Sequence, residues 1–221
     1  MHLRKLFAFL ALVAISSLPL RPAHAEDKAS VLARLDTAAI GFHTVTATVE
    51  FDTIQTDPIY NKDVMTGTAY YERNSHFEMA VHFAAYNGRP TKRGYTFSGG
   101  TLLYSDTGKE KDAKPYPEAS KYEGYFSLGF GASGKALADK WNITYVGKET
   151  IDGISTDKLE LVAKDPDVLK LFPKVTVWLD TARAVSLKQV FDEGDGQSRV
   201  CTYTNIKVNQ PLPKNAFSFD K

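Results

Sequence analysis

The sequence contains a single cysteine, Cys201, so no internal disulfide can form and the fold has to be held by its core. An excess of charge of either sign is also missing. The chain has 27 Lys and Arg against 26 Asp and Glu, a formal net charge of +1. That balance lacks the basic surface that attracts phosphate backbones or anionic membranes, and it argues against nucleic acid as a partner. After residue 25 there is no long apolar run, which leaves no candidate for a membrane-spanning helix. No charge run, repeat or Pro/Gly-rich linker divides the remainder.

The first 25 residues follow a different pattern. A basic start at Arg4 and Lys5 precedes a nearly charge-free stretch from Leu6 to Leu20, and Ala23 and Ala25 supply the small residues read by a signal peptidase. The expectation is an exported, periplasmic protein cleaved after Ala25, with residues 26–221 forming one domain. Removal of Arg4, Lys5 and Arg21 leaves that domain slightly acidic.

From Lys28 to Phe42, residues Val31, Leu32, Leu35, Ala38, Ala39 and Phe42 make one apolar stripe at helical spacing, with Ser30 placed to cap its start and Gly41 to end it. Beyond His43 the period changes to two. Val45, Ala47, Val49 and Phe51 share one face of a strand, and the same alternation returns at Phe77, Met79, Val81 and Phe83, at Leu159 and Leu161, at Val175, Val177 and Leu179, and from Val200 to Val208. Asn87-Gly88, Gly99-Gly100, Asp152-Gly153 and Asp195-Gly196 separate these runs and suit tight hairpins, so neighbouring strands pair antiparallel. Helical pieces are expected within Pro115 to Asn142 and from Pro166, with Val168, Leu169, Leu171 and Phe172 on its apolar side. So many antiparallel strands in a short chain predict one strongly curved sheet, an open or closed barrel, with helices over its concave face.

Several apparent catalytic signals are weak. Gly129, Gly131 and Gly134 match the GxGxxG spacing, and Lys135 extends it toward a P-loop, but Ala136 stands where the magnesium-binding hydroxyl belongs and no βαβ unit surrounds it. The plainer expectation is a flexible loop leading into a short helix from Lys135 to Trp141. His76 and His82 share a strand face but lie roughly 20 Å apart, too far to hold one metal. Cys201 sits inside an alternating strand, away from any helix start that would activate its thiolate. No GxSxG elbow occurs. No catalytic residue, metal ligand or cofactor is assigned, and the chain is not expected to be an enzyme.

The arrangement resembles the periplasmic outer-membrane lipoprotein carriers, the LolA-like family. The resemblance is carried by Val31 to Asp36 leading into Phe42 to Phe51, by Gly67 to Arg73 followed by Phe77 to Met79, and by Gly100 to Tyr104. The ending is the nearest in pattern: Val185 to Phe191, Tyr203 to Pro213 and Phe217 to Phe219. The resemblance implies an unclosed β-barrel of about eleven strands, lidded by the N-terminal helix and two short helices. It also implies a monomer whose cargo is an acylated lipoprotein or lipid, received from an inner-membrane ABC-type release complex and handed to an outer-membrane receptor. In that family an Arg on the second strand ties the lid to the barrel, and Arg73 occupies the matching place, followed by Asn74 where carriers usually have Pro. The candidate apolar lining is Val31, Leu35, Val45, Ala47, Val49, Phe51, Phe77, Met79, Val81, Phe83, Leu102, Tyr104, Leu159, Leu161, Leu169, Phe172, Val175 and Val177. The alternatives are a lipoprotein- or lipid-sensing regulator of the same fold and a secreted hydrolase.

Overall fold

The computed structural model describes residues 27–116 and 123–219; the expected signal segment and its cleavage point after Ala25 lie outside them. The apolar stripe after Asp27 forms helix α1 (Lys28–Ile40), which buries Val31 and Leu35. Its N-cap is Asp27 rather than Ser30: the Asp27 carboxylate accepts a hydrogen bond from the Ser30 amide, the stronger arrangement for an orphan N–H. Gly41 closes the helix as expected.

Twelve antiparallel strands follow among the described residues: β1 (Thr44–Gln55), β2 (Asn61–Arg73), β3 (Phe77–Tyr86), β4 (Arg89–Pro90), β5 (Gly94–Ser98), β6 (Thr101–Ser105), β7 (Lys114–Tyr116), β8 (Trp141–Ile151), β9 (Ile154–Ala163), β10 (Lys174–Asp180), β11 (Val185–Gly194) and β12 (Gln197–Val208). The count exceeds eleven because β4 is a two-residue strand on the end of β3. Each Asx-Gly or Gly-Gly turn takes positive φ at both positions, for example 48° and 74° at Asn87 and Gly88, the geometry that matches the twist of tight hairpins.

All strands belong to one sheet in the order β7-β6-β5-β3-β2-β1-β12-β11-β10-β9-β8, with β4 paired to β3. Residues far apart in sequence meet at the centre, where β1 runs beside β12 from Val45 opposite Val208 to Gln55 opposite Gln197. The two edge strands, β7 and β8, do not pair with each other, so the barrel is unclosed. The β7 edge is three residues long and contains Pro115, both of which blunt an edge against further pairing.

Among the described residues three short α-helices, α2 (Glu123–Phe126), α3 (Gly134–Lys140) and α4 (Pro166–Leu171), and one 3-10 turn, Glu110–Asp112, complete the fold. Helix α2 bridges the open seam. Phe126 lies 5.4 Å from the Phe97 ring on β5, and Tyr125 lies 5.0 Å from the Trp141 ring on β8.

Candidate functional site

The register puts one alternating set of residues from successive strands side by side on the concave face. Leu161 and Leu159 of β9 lie beside Val175 and Val177 of β10, which lie beside Phe191 and Gln189 of β11. Cys201 and Tyr203 of β12 follow, then Phe51 and Val49 of β1, then Met65 and Gly67 of β2. Beyond Phe83, residues Met79 and Val81 stand beside Phe97 and Tyr95, and these beside Leu102 and Tyr104. Every strand residue of the expected lining therefore sits on one continuous face. A one-residue slip in any strand would have turned its set outward.

Burial along this face is graded. At the end where β1 begins, Val31, Val45, Ala69 and Val185 are fully buried, as is Val175, which lies beside Phe191 toward the other end. At the opposite end, Phe51, Met65, Tyr95, Phe172 and Phe191 are only partly covered. Leu35, Ala47, Val49, Phe77, Met79, Phe83, Leu102, Leu159, Leu161 and Val177 are buried, and Val81 is packed against them.

The expectation of an apolar cavity meets a filled interior at the covered end. The segment from Ser127 to Ser133 enters the concavity, and Phe130 stacks on Tyr71 with ring centroids 3.9 Å apart and planes 8° from parallel. Phe130 also bridges Val185, and the Gly131 amide donates to the Ala184 carbonyl at 2.9 Å. This explains the GxGxxG spacing without a nucleotide and corrects the expectation of a flexible loop. A Cβ on Gly131 would stand 2.3 Å from the Phe42 ring, and one on Gly134 would stand 2.2 Å from the Leu32 carbonyl oxygen. The glycines allow the segment to press against α1 and the residues that follow it. Their spacing is thus a close-packing signature, which the sequence alone does not distinguish from a phosphate loop.

Leu169, placed in the lining by its apolar character, is 39% exposed, and Val168 is the α4 residue that is buried. Asp165 caps α4 and Pro166 occupies its first turn, which fixes the helix phase so that Val168 and Phe172, four residues apart, point inward. Tyr104 is a rim residue and is only partly covered.

Two polar devices hold the cover. Arg34 of α1 donates from Nη2 to Asp157 Oδ2 at 2.8 Å and from Nε to Thr181 Oγ1 at 3.0 Å, while Thr181 itself donates to Asp157 at 2.9 Å. In the interior, Tyr71 donates to the Tyr203 hydroxyl at 3.3 Å, Tyr203 to Gln189 Oε1 at 3.4 Å, and Gln189 Nε2 to the Leu128 carbonyl at 2.6 Å. Three strands are thereby tied to the inserted segment. Neither device was legible in sequence, because the partners lie tens of residues apart and no local pattern links them.

Arg73 is arranged differently from an Arg that bonds several lid carbonyls. Its guanidinium carbon lies 5.3 Å from the Phe77 ring centroid, and its buried Nε has no hydrogen-bond partner among the described residues. Burial lowers its pKa, and Glu123 at the start of α2 partly offsets this.

Burial also raises the pKa of three acidic groups on the concave face. The Cys201 thiol is pushed from 9.0 up to about 12, and the Tyr71 and Tyr203 hydroxyls are raised as well. Each holds its proton more tightly folded than unfolded. The stability this supports is complete at neutral pH and is lost as pH rises from 9.0 toward about 12. Denaturant midpoints measured from pH 7 to 11 are expected to fall above pH 9; a flat profile would show that these groups reach solvent.

No family model matches the chain, and no curated protein matches it by sequence. Among solved structures the likeness is one of fold. A chain of the Pseudomonas aeruginosa MucA/MucB complex is 12% identical with a TM-score of 0.52, and the match covers 88% of this chain and 62% of that one. This chain therefore spans less than two thirds of that relative's length. An uncharacterized conserved protein from Thermus thermophilus is 11% identical with a TM-score of 0.50, covering 86% of this chain and 91% of that one. A LolA superfamily protein from Nitrosomonas europaea is 15% identical with a TM-score of 0.44, covering 88% of this chain and 98% of that one. The fold is an unclosed, strongly curved antiparallel sheet with helices over its concave face, and it is similar to that of the chain from the MucA/MucB complex.

Proposed function

We propose that this protein is a periplasmic carrier that binds the acyl chains of lipoproteins or lipids on its concave face and moves them from inner to outer membrane. The observation that supports this reading is the single apolar face, filled at one end by the Ser127 to Ser133 segment and only partly covered at Phe51, Met65, Tyr95, Phe172 and Phe191. At about 0.8 kcal/mol per methylene, a sixteen-carbon chain in water costs on the order of 12 kcal/mol, so unaided transfer between membranes is too slow to be useful. The half-covered end offers the chain an apolar path, and Met65 and Met79 adapt to its shape. An inner-membrane ABC-type complex would load the carrier, an outer-membrane receptor would unload it, and the carrier would act as a monomer.

Arg73 is the proposed lid latch. Its place beneath α2, in the field of Glu123 and over Phe77, supports a contact that forms or breaks as the cover moves. Arg73→Leu is expected to fold normally and to impair the handing of lipoprotein to acceptor membranes. Unchanged transfer by that variant would remove the latch.

A second reading is a lipid- or lipoprotein-sensing regulator, which would pair with a partner protein as the similar chain of the MucA/MucB complex does. Both readings require a bound acyl chain. The test is mass spectrometry of organic extracts of natively purified protein: co-purifying acylated molecules support binding. Lipid-free protein that also takes up no palmitoyl chain when offered one would overturn both.

A further inference from the structure

We infer that a polar cup at the half-open rim is a headgroup subsite for the phosphate of a diacyl lipid whose chains lie on the concave face. This rests on the acyl-binding reading and adds the class of cargo to it. The cup encloses about 380 Å³ and is lined by Tyr104, Asp106, Thr107, Lys111, Asp112 and Lys114.

Its scaffold is fixed by local bonds. Thr107 Oγ1 donates to Asp112 Oδ2 at 2.6 Å, and Ser105 Oγ both donates to the Lys109 carbonyl at 3.1 Å and accepts from the Lys109 amide at 3.2 Å. Gly108, at φ 67°, sits so close that a Cβ would stand 2.2 Å from the Lys92 carbonyl oxygen. The two carboxylates are already engaged: Asp112 by Thr107, and Asp106 by the Tyr104 hydroxyl and by Arg93 Nε at 3.4 Å. Lys111 and Lys114 have no ion pair among the described residues. Arg93 balances Asp106, while Asp112 keeps its charge, so two lysine ammoniums against one carboxylate leave the cup one net positive charge, and a phosphate oxygen is an acceptor that lysine ammoniums bind well.

The cup opens onto the apolar face. Lys114 is the register partner of Tyr104, so the two share one side of the sheet. From Tyr104 a row of rings runs inward: Tyr95 at 4.8 Å, then Phe83 at 6.1 Å from Tyr95, then Phe51 at 6.1 Å from Phe83. An amphiphile with a phosphate at one end and acyl chains at the other matches this polarity along its length. A free sugar or a bare fatty acid uses only part of it.

The test titrates the full chain with dioctanoylphosphatidylglycerol, with dioctanoylglycerol, which has the same acyl chains without phosphate, and with inorganic phosphate. The phospholipid is expected to bind about tenfold more tightly than the diacylglycerol, the factor given by one or two charge-assisted hydrogen bonds. In the Lys111→Gln/Lys114→Gln variant the ratio should fall to about one, and Lys114→Arg should keep it. Equal binding of both lipids by the unaltered protein overturns the subsite and leaves the acyl-binding reading standing. Binding of neither lipid overturns the acyl-binding reading and the subsite with it. Inorganic phosphate bound as tightly as the phospholipid, and lost in the double variant, makes the cup a free-phosphate site and overturns the headgroup assignment.

Discussion

Asp157→Ala is expected to lower stability by about 3 kcal/mol and to release α1 from the sheet. Asp157 is 3% exposed and accepts from both Arg34 and Thr181, so its removal strands a guanidinium that was desolvated around a partner. Arg34 keeps some contact with water, its side chain being 36% exposed, which places the loss at the lower end of the range for broken buried pairs. Hydrogen exchange should show the α1 amides opening well before those of β1 and β12. The double variant Arg34→Met/Asp157→Leu should recover most of the loss, since apolar replacement of both partners removes the desolvated charges together. Amides in α1 that stay as protected as in the unaltered protein would show that another contact holds the helix.

Gly131→Val is expected to expel the inserted segment from the concave face. The new Cβ would meet the Phe42 ring at 2.3 Å, and φ at this position is 66°, where a β-branched residue is strained. Overpacking of this kind costs about 1–3 kcal/mol and the backbone strain about 1–2 kcal/mol more. Because only the cover is affected, the sheet should persist while Tyr71, Tyr203 and Val185 lose the cover of Phe130. Binding of an apolar dye should rise sharply while far-ultraviolet circular dichroism keeps its strand signature. Gly41→Ala, where an added Cβ meets nothing within 4 Å, is the matched control and should leave dye binding unchanged. A Gly131→Val protein that binds no more dye than this control would show that the segment is not a cover.

The two variants open the concavity from different sides. Asp157 acts through the helix that lies over the sheet, and Gly131 through the segment that fills it. The proposed carrier function, with its release of cargo, needs such a cover to be held by a small number of contacts. The Arg34–Asp157–Thr181 cluster and the chain from Tyr71 to the Leu128 carbonyl provide few, each at a defined place.

Alternation in Val45 to Phe51, Phe77 to Phe83 and Val175 to Leu179 determined the strands and which residues share a face, because side-chain direction in a strand has a period of two whatever its neighbours are. The Asx-Gly and Gly-Gly pairs determined the hairpins, because only residues tolerant of positive φ can make those turns. Tertiary structure alone decided which face is concave, since that depends on the pairing of β1 with β12 and on the direction in which the whole sheet curls. It also decided that Val168 rather than Leu169 points inward, that Gly129, Gly131 and Gly134 pack against Ser186, Phe42 and Leu32 instead of cradling phosphate, and that Arg34 finds Asp157 across 123 positions of sequence. The physical reason is range: backbone sterics and periodicity act over a few residues and are written locally. The filling of a concavity and the pairing of a buried charge depend on atoms that only folding brings together.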